Sequence, residues 1–141
     1  MPNIKLLNIV FFTAVALSTV HYTDNYLAFD RFPNDGVGPS IEAHTVWIAW
    51  IVFTVFGVAG YLLYRRGEIR KGSALLAVYS ISGLIGLAHY TASGMSELAW
   101  WRHAHIAADF LAGVAVLTFA IWSVRQERLS PSVEVPAGHD L

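Results

Sequence analysis

Five of the six histidines, His21, His44, His89, His103 and His105, fall near one end of the chain's apolar segments; the sixth, His139, lies near the carboxyl terminus. Asp24 and Asn25 follow His21 at i+3 and i+4, and Asp109 follows His105 at i+4, so on helices each set shares one face. Imidazole and carboxylate together suit zinc or non-haem iron, and imidazole alone also suits copper. Three histidines and a water make a catalytic zinc centre, in which a nearby Asp acts as base or orients a ligand. The expected metal ligands are His21, His89 and His105, with His44 as a fourth imidazole. Asp24 and Asp109 are the expected catalytic carboxylates, as ligand, general base or orienting group. Asn25, Ser82, Tyr22 and Tyr90 are the accompanying hydrogen-bonding groups.

Energetics favour a cation over hydrogen bonding alone. An aspartate deep in a membrane helix costs about 2.5–3.5 kcal/mol. An interhelical hydrogen bond in a membrane returns about 0.6 kcal/mol on average. Structural zinc binding is worth about 10 kcal/mol or more. A divalent ion, zinc first, with iron or copper as alternatives, is therefore the expected cofactor. A watery vestibule or a protonated Asp would also lower the cost.

Four helices must position these groups. Of 141 residues 55% are hydrophobic and 13% charged, and mean hydropathy is +0.50. Soluble domains carry about 25% charged residues, and a disordered chain lacks this much apolar surface. A net charge of −1 offers no basic excess for nucleic acid. Without cysteine there is no disulfide, thiolate zinc site or iron–sulfur cluster. Apolar stretches run from Ile4 to about Phe29, from Ile41 to Tyr64, from Ser73 to about Thr91 and from about Trp100 to Val124, each long enough to span a bilayer as a helix. The expected fold is an all-α, integral membrane four-helix bundle over residues 1–128, with a flexible tail over 129–141. A cleaved signal peptide over residues 1–20 is the rival reading of the first span, but apolar character resumes through Tyr26, Leu27 and Phe29.

Lys5, Arg65, Arg66, Arg70, Lys71, Arg125 and Arg128 fall at one end of the spans, and only Arg31 and Arg102 at the other. The positive-inside rule then puts both termini in the cytoplasm of a plasma (inner) membrane, with the histidines facing outward. Trp47, Trp50, Trp100 and Trp101 read as anchors at the outer boundary. His21-Tyr22-Thr23 is echoed by His89-Tyr90-Thr91, and Ala43-His44 by Ala104-His105, as two hairpins related as parallel repeats would give. Gly57, Gly60, Gly86 and Gly113 read as points of close helix approach.

Each feature has a plainer alternative. His44 and His103 can be solvated boundary residues. His21 with Asp24, and His105 with Asp109, can be packing pairs.

Three histidines (His21, His89, His105), an aspartate and Ser82 inside a helical bundle form a parts list that resembles alkaline-ceramidase-like membrane hydrolases. That resemblance implies metal-assisted hydrolysis of a lipid. The paired His-x-x-x-His of that family is absent here, and the spans are fewer. The leading expectation is a zinc- or iron-dependent enzyme acting on a lipid or other membrane-borne substrate through metal-bound water. The alternatives are a haem-binding electron-transfer protein and a non-catalytic metal-sensing or accessory subunit. Association as a homo-oligomer or within a larger membrane complex is compatible with all three.

Overall fold

A computed structural model of the chain describes residues 3–33 and 42–129. Among these residues the chain is all-helical: α1 (Ile4–Leu27), α2 (Ala43–Arg65), α3 (Ile69–Leu84) and α4 (Trp100–Leu129), joined with short 3₁₀ turns and no strand. All four are long and apolar enough to cross a membrane, α3 being continued as far as Thr91. They form a ring in which α1 and α3 each pack against both α2 and α4 but barely meet across the diagonal.

Several boundaries differ from the sequence expectation, because hydropathy reports the lipid layer and not the helix. α3 starts at Ile69, four residues before Ser73, and takes Arg70 and Lys71 into its first turn. α4 runs past Val124 to Leu129, and Arg70 Nε donates to Glu127 Oε2 at 2.8 Å in that extension. The expected tail over 129–141 lies outside the described residues except for Leu129.

Side chains and backbone explain the ends. Asn3 caps α1, its Oδ1 accepting from the Leu6 amide at 3.0 Å. Gly67 takes φ +87° after α2. Its amide bonds the Tyr64 carbonyl and the Glu68 amide bonds the Leu63 carbonyl, both at 3.0 Å, the paired closure of a left-handed glycine cap. The turn is therefore only a few residues long, and α3 folds straight back on α2.

The main apolar core, including Leu7, Phe11, Tyr64, Leu76, Tyr79, Val116 and Phe119, lies toward the basic end of the bundle. A smaller one, Phe32, Met95, Leu98 and Ile106, closes the histidine end. Along α1 between them come the buried Ser18, His21 and Asn25. Ser18 is a junction of three helices: Trp50 Nε1 donates to its Oγ at 3.2 Å, and Tyr79 Oη lies 3.3 Å away. Since Ser18 gives its own proton to the Val15 carbonyl, Tyr79 must be the donor to it. Trp50, expected as a membrane anchor, thus points its polar edge into the bundle.

Close approach of α3 and α4 rests on Gly83 and Gly113. A Cβ on Gly83 would run into the Asp109 carbonyl, and one on Gly113 would stand 2.9 Å from the Ser80 carbonyl. Gly86 plays a different part from that expected: its nearest neighbours would be Ile106 Cγ2 at 3.8 Å and His21 Nε2 at 3.9 Å, ordinary contacts that leave room beside the histidine.

Candidate functional site

At the histidine end, α1 contributes His21, Asp24 and Asn25, and α4 contributes Arg102, His105 and Asp109 at i, i+3 and i+7. Each set falls on the inward face of its helix. His21, Asn25, Arg102, His105 and Asp109 are all buried. α3 supplies His89, after a change of helix type. From Ile85 to Thr91 the chain is a 3₁₀ helix. With three residues per turn, Gly86, His89 and Ala92 line up. The expected α-helical face of Ser82, Ile85, Gly86 and His89 is broken accordingly, and Ile85 turns outward, 53% exposed.

The side chains form a directed chain. Arg102 Nε donates to Asp24 Oδ2 at 2.9 Å and its Nη2 reaches Asp24 Oδ1 at 3.4 Å. The guanidinium carbon lies 5.2 Å from the Phe32 ring centre and 4.7 Å from that of Trp101, so its faces are covered while its edge meets the carboxylate. His105 Nε2 stands 3.2 Å from the same Asp24 Oδ2. His105 Nδ1 stands 3.0 Å from His21 Nδ1. Because an ionised carboxylate only accepts, His105 carries a proton on Nε2. In the neutral ring its Nδ1 then accepts from His21 Nδ1–H, which leaves the lone pair of His21 on Nε2, facing Gly86.

His89 joins from the side. Its Nε2 accepts from Asn25 Nδ2 at 3.0 Å, and its ring meets that of His21 edge-on at 5.7 Å. His21, His89 and His105 are thus brought together. Among the described residues, however, no group of three or more His, Cys, Asp or Glu is placed to hold a metal ion.

Other expected residues stand apart. His44 is exposed and pairs with Glu42 Oε2 at 3.2 Å on the outside of α2. The sequence echo that linked it with His105 joins two residues in unlike surroundings. Asp109 is 2% exposed and its Oδ2 has no hydrogen-bond partner among the described residues. It does not pair with His105, whose two nitrogens face Asp24 and His21. Tyr22 Oη donates to the Ser82 carbonyl at 2.8 Å, and Ser82 Oγ donates to the Tyr79 carbonyl at 2.8 Å, so the serine hydroxyl is engaged within its own helix. Tyr90 Oη lies 3.0 Å from His103 Nδ1, on the exposed side. His139 lies outside the described residues.

Arg102 is the residue missed from the sequence, where it counted only as one of two cations at that end. Its signal was present: it extends the His105 and Asp109 stripe by one turn, and Asp24 needed a countercharge.

No family profile, curated protein sequence or solved structure matches the chain.

Proposed function

We propose that this chain is an integral membrane protein whose buried Arg102–Asp24–His105–His21 chain is an acid–base centre acting on a lipid or other membrane-borne substrate. The observation that carries the reading is the 3.0 Å approach of the two Nδ1 atoms with Asp24 on the far nitrogen of His105. His21 Nε2 is the free base. When it takes a proton from water or from a substrate hydroxyl, the charge is shared through His105 toward Asp24, which Arg102 holds in place. A positioned base of this kind contributes about 10²–10⁴ in rate. The excess of basic residues at the opposite end supports a cytoplasmic position for that end and an outward-facing histidine end, in a plasma (inner) membrane. The parallel-repeat relation has narrower support, from the adjacent rings of His21 and His89.

The facing Nδ1 atoms favour a second reading. A divalent cation, zinc first, would bind between His21 and His105, with Asp24 as the carboxylate that orients a metal-bound histidine from its other nitrogen. Its remaining ligands would be water or substrate.

The test is turnover of lipid esters and amides in vesicles by purified protein, with elemental analysis alongside. Cation-free protein that is active, with activity falling about 100-fold or more in His21→Ala and His105→Ala but not in His44→Ala, supports the acid–base centre. Stoichiometric metal in the wild type, lost in the same two variants, replaces it with the second reading. Activity indifferent to His21→Ala and His105→Ala refutes both.

A further inference from the structure

A cleft of about 670 Å³ opens at the histidine end between the turn after α1 and the loop before α4. Its walls include Asp30, Arg31, Phe32, Glu97 and Leu98, and Arg102 lies on its inner side. Arg102 is also the partner of Asp24, so the cleft ends against the acid–base chain. The exposed charges around it have no ion partner among the described residues, as is also true of Lys5, Arg66, Arg125 and Arg128 at the opposite end. Elsewhere on the surface His44 pairs with Glu42, Arg70 with Glu127 and Lys71 with Glu68. Asp30, Arg31 and Glu97 are all exposed, and none makes an ion pair with another described residue. Two acids and one base, plus the outer edge of a guanidinium already neutralised by Asp24, complement a ligand that carries both signs.

Depth identifies where such a ligand comes from. Trp100 and Trp101 immediately precede Arg102 and are 79% and 43% exposed. Exposed tryptophans at the end of a spanning helix mark the headgroup level of a bilayer. The cleft therefore lies beside lipid headgroups.

We infer that this cleft docks a zwitterionic phospholipid headgroup, its phosphate on Arg31 and the edge of Arg102 and its ammonium on Asp30 and Glu97. A primary ammonium fits better than a quaternary one. It donates N–H bonds to carboxylates. A quaternary head needs free aromatic faces, and the one aromatic ring among the described residues lining the cleft, Phe32, is buried and faces Arg102. This inference rests on the proposed function in taking a membrane lipid as the substrate.

The experiment titrates short-chain phosphatidylethanolamine, phosphatidylglycerol of the same chain length and free phosphoethanolamine into detergent-purified protein by calorimetry. Phosphatidylethanolamine should bind about tenfold tighter than phosphatidylglycerol, and Arg31→Ala and Glu97→Gln should each lose about that factor, as removal of one charge-assisted contact does. Circular dichroism confirms that the exposed substitutions leave the helices intact. His21→Ala should bind normally and lose turnover, whereas wild-type protein that binds phosphatidylethanolamine but turns over no lipid strikes the acid–base reading and leaves the docking site standing. Equal affinity for the two lipids, or binding indifferent to both cleft variants, overturns the docking site itself. Equally tight free phosphoethanolamine overturns the lipid as its source.

Discussion

Arg102 and Asp24 have side chains 7% and 18% exposed, which sets their ion pair apart from the solvent-facing pairs elsewhere. Removing one partner of a buried pair strands the other charge and costs about 3–5 kcal/mol, whereas replacing both by apolar groups is often near neutral. Arg102→Met should therefore lower the unfolding free energy in detergent by about 3 kcal/mol, and Arg102→Met with Asp24→Leu should regain most of it. A double variant as unstable as the single one would show that the pair is not the source of the loss. At this scale, the grouping of His21, Asp24 and Asn25 was legible because i, i+3 and i+4 fix a shared face whatever the helix packs against. Neighbours across helices were not. That Asp24 would turn to Arg102 and His105, and that Asp109 would keep an unpartnered oxygen, depends on rotations that local spacing does not encode. His44 shows the converse: its Ala-His repeat suggested a fourth imidazole, yet its place at the first turn of α2 leaves it on Glu42.

Among the elements, α3 shows how a change of helix type sets a site. A 3₁₀ helix rises about 2.0 Å per residue against about 1.5 Å in an α-helix. The stretch Ile85–Thr91 therefore carries His89 further along the bundle and brings it above Gly86. Two glycines on this segment make opposite predictions. Gly83→Ala drives a methyl into the Asp109 carbonyl and must part α3 from α4, so thermal stability in detergent should fall steeply. Gly86→Ala meets only ordinary contacts and should fold with near wild-type stability, while its methyl sits 3.9 Å from His21 Nε2 and should depress turnover. The proposed base would be misplaced if Gly86→Ala left turnover untouched and only Gly83→Ala reduced it. The number of helices was legible from hydropathy alone, because a bilayer demands long unbroken apolar runs. Their ends were not, since Arg70, Lys71 and Arg125–Arg128 are good helix formers that no lipid needs to accept.

For the whole molecule, the proposed orientation rests on charge. Lys5, Arg65, Arg66, Arg70, Lys71, Arg125 and Arg128 gather at the end opposite the histidines. The chain has no cysteine, so a single introduced thiol reports its side of the membrane without background. Glu97→Cys should react with an impermeant maleimide on intact cells, and Leu129→Cys only after permeabilisation; the reverse pattern would invert the topology. Assembly poses a further problem. Lipid tails do not distinguish one apolar helix face from another, so burial of apolar surface does little to choose among rotations of α1, α2 and α3 about their own axes. The hydroxyl of Ser18 does distinguish them. Its three partners come from the α1 backbone, Trp50 and Tyr79, and they coincide at one azimuth of each helix. A slip by a single residue would leave an indole N–H and a phenol stranded in hydrocarbon. This one small side chain thus acts as a keyway: helices inserted separately can spin freely, yet only one alignment closes, and that alignment turns His21, one turn along the same helix, into the bundle.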